Sequence, residues 1–117
     1  MLTVGLIGAG RIGRVHASTI SMHENSKLVA VADVIEDNAQ KLARDFGIQV
    51  CSTDAIYKDK SIDAVLVASS TDTHSEIIEK ATLAGKAVLC EKPVDISLER
   101  AKQCLENTKP NDQPIML

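Results

Sequence analysis

The sequence predicts an α/β protein: a doubly wound parallel sheet of about six strands with helices on both faces. Three observations carry that prediction. Short runs of Val, Ile, Leu and Ala recur, each continuous rather than alternating, as expected of strands buried on both faces. Stretches of helical period lie between them, so strand and helix alternate in right-handed βαβ units. The first apolar run also passes straight into Gly8-Ala9-Gly10-Arg11-Ile12-Gly13, a glycine-rich junction at the mouth of a helix.

The elements follow in order. Residues 4–7 form the first strand and 12–22 the first helix. Residues 28–32 form the second strand. A helix over 37–46 follows, stopped by Gly47, which supplies the left-handed residue that ends many helices. "IQVC" (48–51) is a weak third strand, followed by a short helical turn at 54–58. Residues 64–68 form the fourth strand. In the helix at 73–83, Thr73 and Glu76 have the spacing of a capping box, and Gly85 ends it. Residues 87–90 form the fifth strand. The helix at 97–107 takes Ser97 as its N-cap. "TKPNDQP" (108–114) turns the chain into "PIML", the sixth strand. No repeat, low-complexity tract or linker divides residues 1–117, which read as a single domain.

Composition narrows the partners. Aromatic residues make up only 2% of the chain, Phe46 and Tyr57, so the core is aliphatic. The net charge of −3 disfavours nucleic acid and acidic membrane surfaces, which need a basic footprint. No apolar run approaches the length of a membrane span, and a cytoplasmic protein is expected. Cys51, Cys90 and Cys104 are odd in number and lack any C-x-x-C pair. They read as free thiols, with neither a disulfide framework nor a metal site. There is no G-x-S-x-G and no H-E-x-x-H, so hydrolase and metalloprotease readings lack support.

The glycine junction is the strongest chemical signal. Gly8, Gly10 and Gly13 spell G-x-G-x-x-G after a strand and at the start of a helix. Asp33 follows twenty residues beyond Gly13, at the end of the second strand. That is the context of the Rossmann dinucleotide fingerprint. Gly8 permits the tight turn, Gly10 lets a pyrophosphate approach the backbone, and Gly13 lets helix pack on strand. The helix mouth offers backbone amides, those of Arg11 and Ile12 among them, together with a partial positive charge. Arg11 reads either as a charged phosphate contact or as a solvated first-turn arginine. Asp33 accepts hydrogen bonds from both adenosine ribose hydroxyls and repels a 2′-phosphate, while Val34 beside it offers no cation. NAD is therefore the expected cofactor. The alternative role for Asp33 is a helix cap or a solvated loop acid.

All strands of a parallel sheet point one way, so Gly8, Asp33, Ser69 and Lys92 should share one rim. "GLIGAGRIG", "VADV", "VLVASSTDTH" and "VLCEKP", in that order and spacing, resemble the N-terminal half of the Gfo/Idh/MocA oxidoreductases over essentially the whole chain. The glycine and "SSTDTH" versions are most similar to the branch that oxidises inositol. The resemblance implies that Lys92 is catalytic, reaching the nicotinamide end and the substrate hydroxyl. It implies that Glu91 borders the cofactor ribose and that Pro93 shapes the turn. It further implies that Ser69, Ser70 and Thr71 line the nicotinamide side, with His74 near the cofactor. A cofactor contact by His74 and a purely structural place for it stay equally open. Thr71 stands where many members of the family carry proline. His16 and His23 read as structural or solvated.

The resemblance also implies an enzyme about three times as long, whose second domain supplies the substrate pocket and the remaining catalytic residues. The chain is thus expected to be the NAD-binding domain of a larger dehydrogenase and inactive alone. The full-length protein is expected to act on a small polyol, myo-inositol foremost, and to form a homo-oligomer, dimer or tetramer. A related sugar dehydrogenase and a non-catalytic NAD-sensing module are the competing readings.

Overall fold

The computed structural model describes residues 1–117. Eleven elements alternate as follows: β1 (Leu2–Ile7), α1 (Arg11–Met22), β2 (Ser26–Ala32), α2 (Glu36–Phe46), β3 (Gln49–Val50), α3 (Thr53–Lys58), β4 (Ala64–Val67), α4 (His74–Leu83), β5 (Ala87–Cys90), α5 (Leu98–Thr108) and β6 (Ile115–Met116). Short 3-10 turns at Thr71–Thr73 and Lys109–Asn111 lead into α4 and follow α5. All strand pairs are parallel, and the spatial order is β3-β2-β1-β4-β5-β6. The order reverses between β1 and β4, which places the ligand crevice of such sheets beside the end of β1.

Each face of the sheet has its own aliphatic core. On one face Ile56 of α3, Ile78 and Ala81 of α4 and Cys104 of α5 pack on Val65, Val67 and Val88. On the other, Ala17 of α1 and Ala39 and Leu42 of α2 pack on Val4, Leu6 and Leu66. The strands show no apolar–polar alternation because both faces are covered, as their continuous runs predict. In β2 the pairing skips one residue: Val4 pairs with Leu28 and Gly5 with Ala30. The extra residue, Val29, reverses the facing of the strand, so Leu28 and Val31 share the α1–α2 face while Ala30 and Ala32 take the other.

Helix ends follow local chemistry, with one correction. Gly47 adopts φ 65° and ends α2, and the Ser97 hydroxyl accepts from the Arg100 N–H at 3.2 Å to cap α5. The expected capping box at α4 does not form. Thr73 already lies in a helical conformation inside the 3-10 turn, so its hydroxyl points back and donates to the Ser70 carbonyl at 2.6 Å. Glu76 pairs instead with Lys80, 2.7 Å away on the next turn. The cysteines are all free, with Cys90 and Cys104 buried and Cys51 half-buried. No helix is long and apolar enough to cross a membrane.

Candidate functional site

The carboxyl ends of β1, β2, β4 and β5 deliver four loops to one rim. The loop after β1 is built around its glycines. Gly8 has φ 105°, and a Cβ there would lie 2.4 Å from the Ala68 carbonyl carbon. A Cβ on Gly13 would lie 1.9 Å from the Gly8 carbonyl oxygen, so only glycine lets α1 press on the end of β1. Gly10 differs: a Cβ there meets no protein atom within 4 Å. Packing imposes no glycine at that position, and the open space lies directly at the helix mouth. No side chain caps α1 either, which leaves the first-turn amides to another acceptor. Arg11 and Ile12 are both exposed there.

Asp33 is tied to this mouth. The Ala9 N–H donates to Asp33 Oδ2 at 2.6 Å, and the Ile35 N–H donates to Oδ1 at 2.8 Å. Asp33 thus braces the turn between β2 and α2 and keeps lone pairs on both oxygens. Val34 is fully exposed beside it, and the first turn of α2 adds Glu36 and Asp37. No cation stands among these residues to receive a 2′-phosphate.

The loop after β4 touches the glycine loop through Ala68 and Ser69. Ser69 and Thr71 are half-buried and Ser70 is exposed. The Ser69 and Thr73 hydroxyls lie 2.7 Å apart. Because Thr73 gives its proton to Ser70, Ser69 is the donor of that pair.

The turn after β5 holds Glu91, Lys92 and Pro93, with a cis bond between the last two. Lys92 is exposed and joins no ion pair. Together with Glu91, His16, Leu66, Leu89 and Leu117 it lines an open cavity of about 310 Å³. His16 contacts the Glu91 carboxylate through Nε2. His16, which the sequence marks as structural or solvated, thus stands beside Glu91 at this rim. Its one signal was spacing: it follows by three residues the glycine that presses α1 onto the sheet, so it shares that inward helix face. His74 sits below the rim, 1% exposed, and its ring nitrogens face the carbonyls of Pro93 and Ser69 at 2.8 and 2.9 Å.

A free helix mouth, an uncrowded Gly10 and an acid beside them suit a diphosphate joined to an unphosphorylated ribose. Residues 2–117 match the oxidoreductase family GFO_IDH_MocA, described as having an NAD-binding Rossmann fold. The chain belongs to this family.

Its relatives within the family are longer. It is 47% identical over 102 residues to an inositol 2-dehydrogenase of Rhizobium meliloti, matching 87% of this chain and 31% of the relative. It is 38% identical over 113 residues to a myo-inositol 2-dehydrogenase of Thermotoga maritima, matching 95% and 34%. The solved myo-inositol dehydrogenase of Corynebacterium glutamicum superposes with a TM-score of 0.92 at 36% identity, covering 100% of this chain and 35% of that one. The chain thus spans about a third of the length of the relatives it matches. It is the family's NAD-binding domain.

Proposed function

We propose that this domain holds NAD across the rim and serves a dehydrogenase that oxidises a ring hydroxyl of a cyclitol, myo-inositol first, to a ketone. The observation that carries the cofactor side is the uncapped helix mouth with open space at Gly10, next to an acid with free lone pairs. The amides of Arg11 and Ile12 and the α1 dipole would take the diphosphate. Asp33 would take the adenosine ribose, and the exposed Val34 would flank the adenine. Ser69, Ser70, Thr71 and Glu91 would border the nicotinamide half. When bound, NAD supplies the carbon that accepts hydride from the carbinol. Lys92 orients the substrate hydroxyl and takes part in removing its proton.

The substrate class is supported by the two inositol dehydrogenases described above. A sugar substrate is the second reading, because a glucose-6-phosphate 3-dehydrogenase of Bacillus subtilis is 41% identical over 104 residues. Turnover of myo-inositol against glucose 6-phosphate by the full-length protein separates the two. We place the enzyme in the cytoplasm, in keeping with three unpaired thiols, and as a dimer or tetramer.

Cofactor choice is the direct test. NAD should bind this chain at least about tenfold more tightly than NADP, a difference of one lost charge repulsion or ribose contact. Asp33→Asn should narrow that gap. Equal affinity of the native chain for NAD and NADP would show that Asp33 does not face the adenosine ribose.

A further inference from the structure

We propose that His74 is a positioning residue for Lys92: it holds the Pro93 carbonyl and thereby fixes the main chain from which the lysine projects. The inference rests on the reading of Lys92 given above.

The ring of His74 opens α4 beneath the rim and is almost wholly enclosed. Nδ1 lies 2.8 Å from the Pro93 oxygen and Nε2 lies 2.9 Å from the Ser69 oxygen. A carbonyl oxygen only accepts, so the link to Pro93 is a hydrogen bond when Nδ1 carries the ring hydrogen. Neither polar ring atom is left to face the crevice. His74 therefore does not touch a ligand; it joins two segments that line the rim, the loop at 69–71 and the turn at 91–93.

The next residue repeats the grip. The Ser75 hydroxyl donates to Asp95 Oδ2 at 2.7 Å, so the first turn of α4 holds the chain after Lys92 at two points. On the other side of Lys92, the Glu91 N–H donates to the Val67 carbonyl at 3.0 Å, and the Glu91 carboxylate meets His16. Lys92 itself is exposed and joins no ion pair that would fix its ammonium. A lysine stem has four flexible carbons, so when its head is free the main chain fixes only the point from which it projects. That main chain is anchored through Glu91 before the lysine and through Pro93 after it. His74 supplies the second anchor.

Two substitutions separate positioning from simple support. The amide nitrogen of asparagine falls where Nδ1 stands, and that of glutamine where Nε2 stands. His74→Asn therefore keeps the donor to Pro93 and loses Ser69, whereas His74→Gln keeps Ser69 and frees Pro93. Each removes one of the two buried contacts, so loss of stability alone would not distinguish them. In the unliganded chain, the Lys92 amide order parameter should fall from about 0.85 toward about 0.6 in the glutamine variant only. Affinity for NAD should weaken about tenfold in that variant, while ADP-ribose, which lacks the nicotinamide, should change by less than about twofold. The asparagine variant should hold both ligands as the native chain does.

Equal behaviour of the two variants overturns the proposal. So does an unchanged Lys92 amide in the glutamine variant. If neither variant folds, long-range proton–nitrogen spectra of the native chain decide: a hydrogen on Nδ1 supports the link to Pro93, and a bare Nδ1 refutes it. If the native chain binds NAD and ADP-ribose equally, the placing of Lys92 at the nicotinamide end is what fails. The order parameters still report on His74 in that case.

Discussion

Gly10 and Gly13 lie three residues apart in one motif and answer to different constraints. At Gly13 the constraint is internal, because a methyl group would sit 1.9 Å from the backbone oxygen of Gly8. At Gly10 nothing in the protein stands within 4 Å of a methyl group, and the backbone there is extended with φ −76°. Gly13→Ala should therefore cost about 3 kcal/mol of stability through overpacking. Gly10→Ala should stay within about 1 kcal/mol of the native chain, yet lose most of its affinity for NAD. Urea unfolding and NAD titration of both variants check this. Equal destabilisation by the two would mean that Gly10 also serves packing. Both glycines were legible in the sequence, and the structure commits Gly13 to packing while it leaves the space at Gly10 open. Asp33 shows the same economy, since one carboxylate braces the glycine loop through the Ala9 N–H and remains able to accept from a ribose.

At the scale of elements, local chemistry decided most helix ends. Gly47, Gly85 and Ser97 act where their residue types predict, because a left-handed stop or a short hydroxyl cap needs only neighbours in sequence. The capping box at α4 failed because a 3-10 turn had already placed Thr73 in helical conformation, and its hydroxyl turned toward Ser70. The end of α3 falls at Lys58, where the sequence places it, but the side chain that holds it was not legible, because it lies far along the chain. Lys86, 4% exposed, donates to the carbonyls of Asp59 and Ile62 at 2.7 and 2.8 Å. The Asp59 carbonyl, at the C-terminal end of α3, also accepts from the Ile62 N–H, so the ammonium joins the helix end to the turn that follows it. Lys86→Met keeps the stem and removes these donors, so it should cost about 2 kcal/mol. Denaturant unfolding measures this, and a variant as stable as the native chain would show that water serves those carbonyls equally well.

At the scale of the whole molecule, stability should fall toward both ends of the pH range. On the acid side, Asp59 is held below the usual carboxylate range by the Ser61 hydroxyl, Asp95 by the Ser75 hydroxyl, and Glu76 by the Lys80 ammonium. A depressed carboxyl contributes stability above its unfolded value and loses it as pH falls through the folded one. That loss therefore sets in below about pH 4, and it stays small because these groups face solvent. On the alkaline side, burial pushes the Cys90 thiol up to about 12 from 9.0 and the Tyr57 phenol up to about 12 from 10.0. Their neutral forms are kept only in the folded chain, so stability is complete below 9.0 and declines as pH rises toward about 12. Urea midpoints taken near neutrality and at about pH 3 and about pH 10 should both fall away from the neutral value. A midpoint that rises at the alkaline end would contradict the burial of these two groups.

The sequence by itself determined the alternation of strands and helices, the parallel sheet and the glycine mouth with its acid. Each of these is written in residues close together along the chain, through period, side-chain size and backbone freedom. Only the tertiary structure decided the bulge at Val29, the partner of Lys86 and the two histidines beside Lys92. His16 meets Glu91 across 75 residues and His74 meets Pro93 across 19. Contacts of that span arise when crossover connections stack strands side by side, and no local pattern in the chain records which side chains then meet.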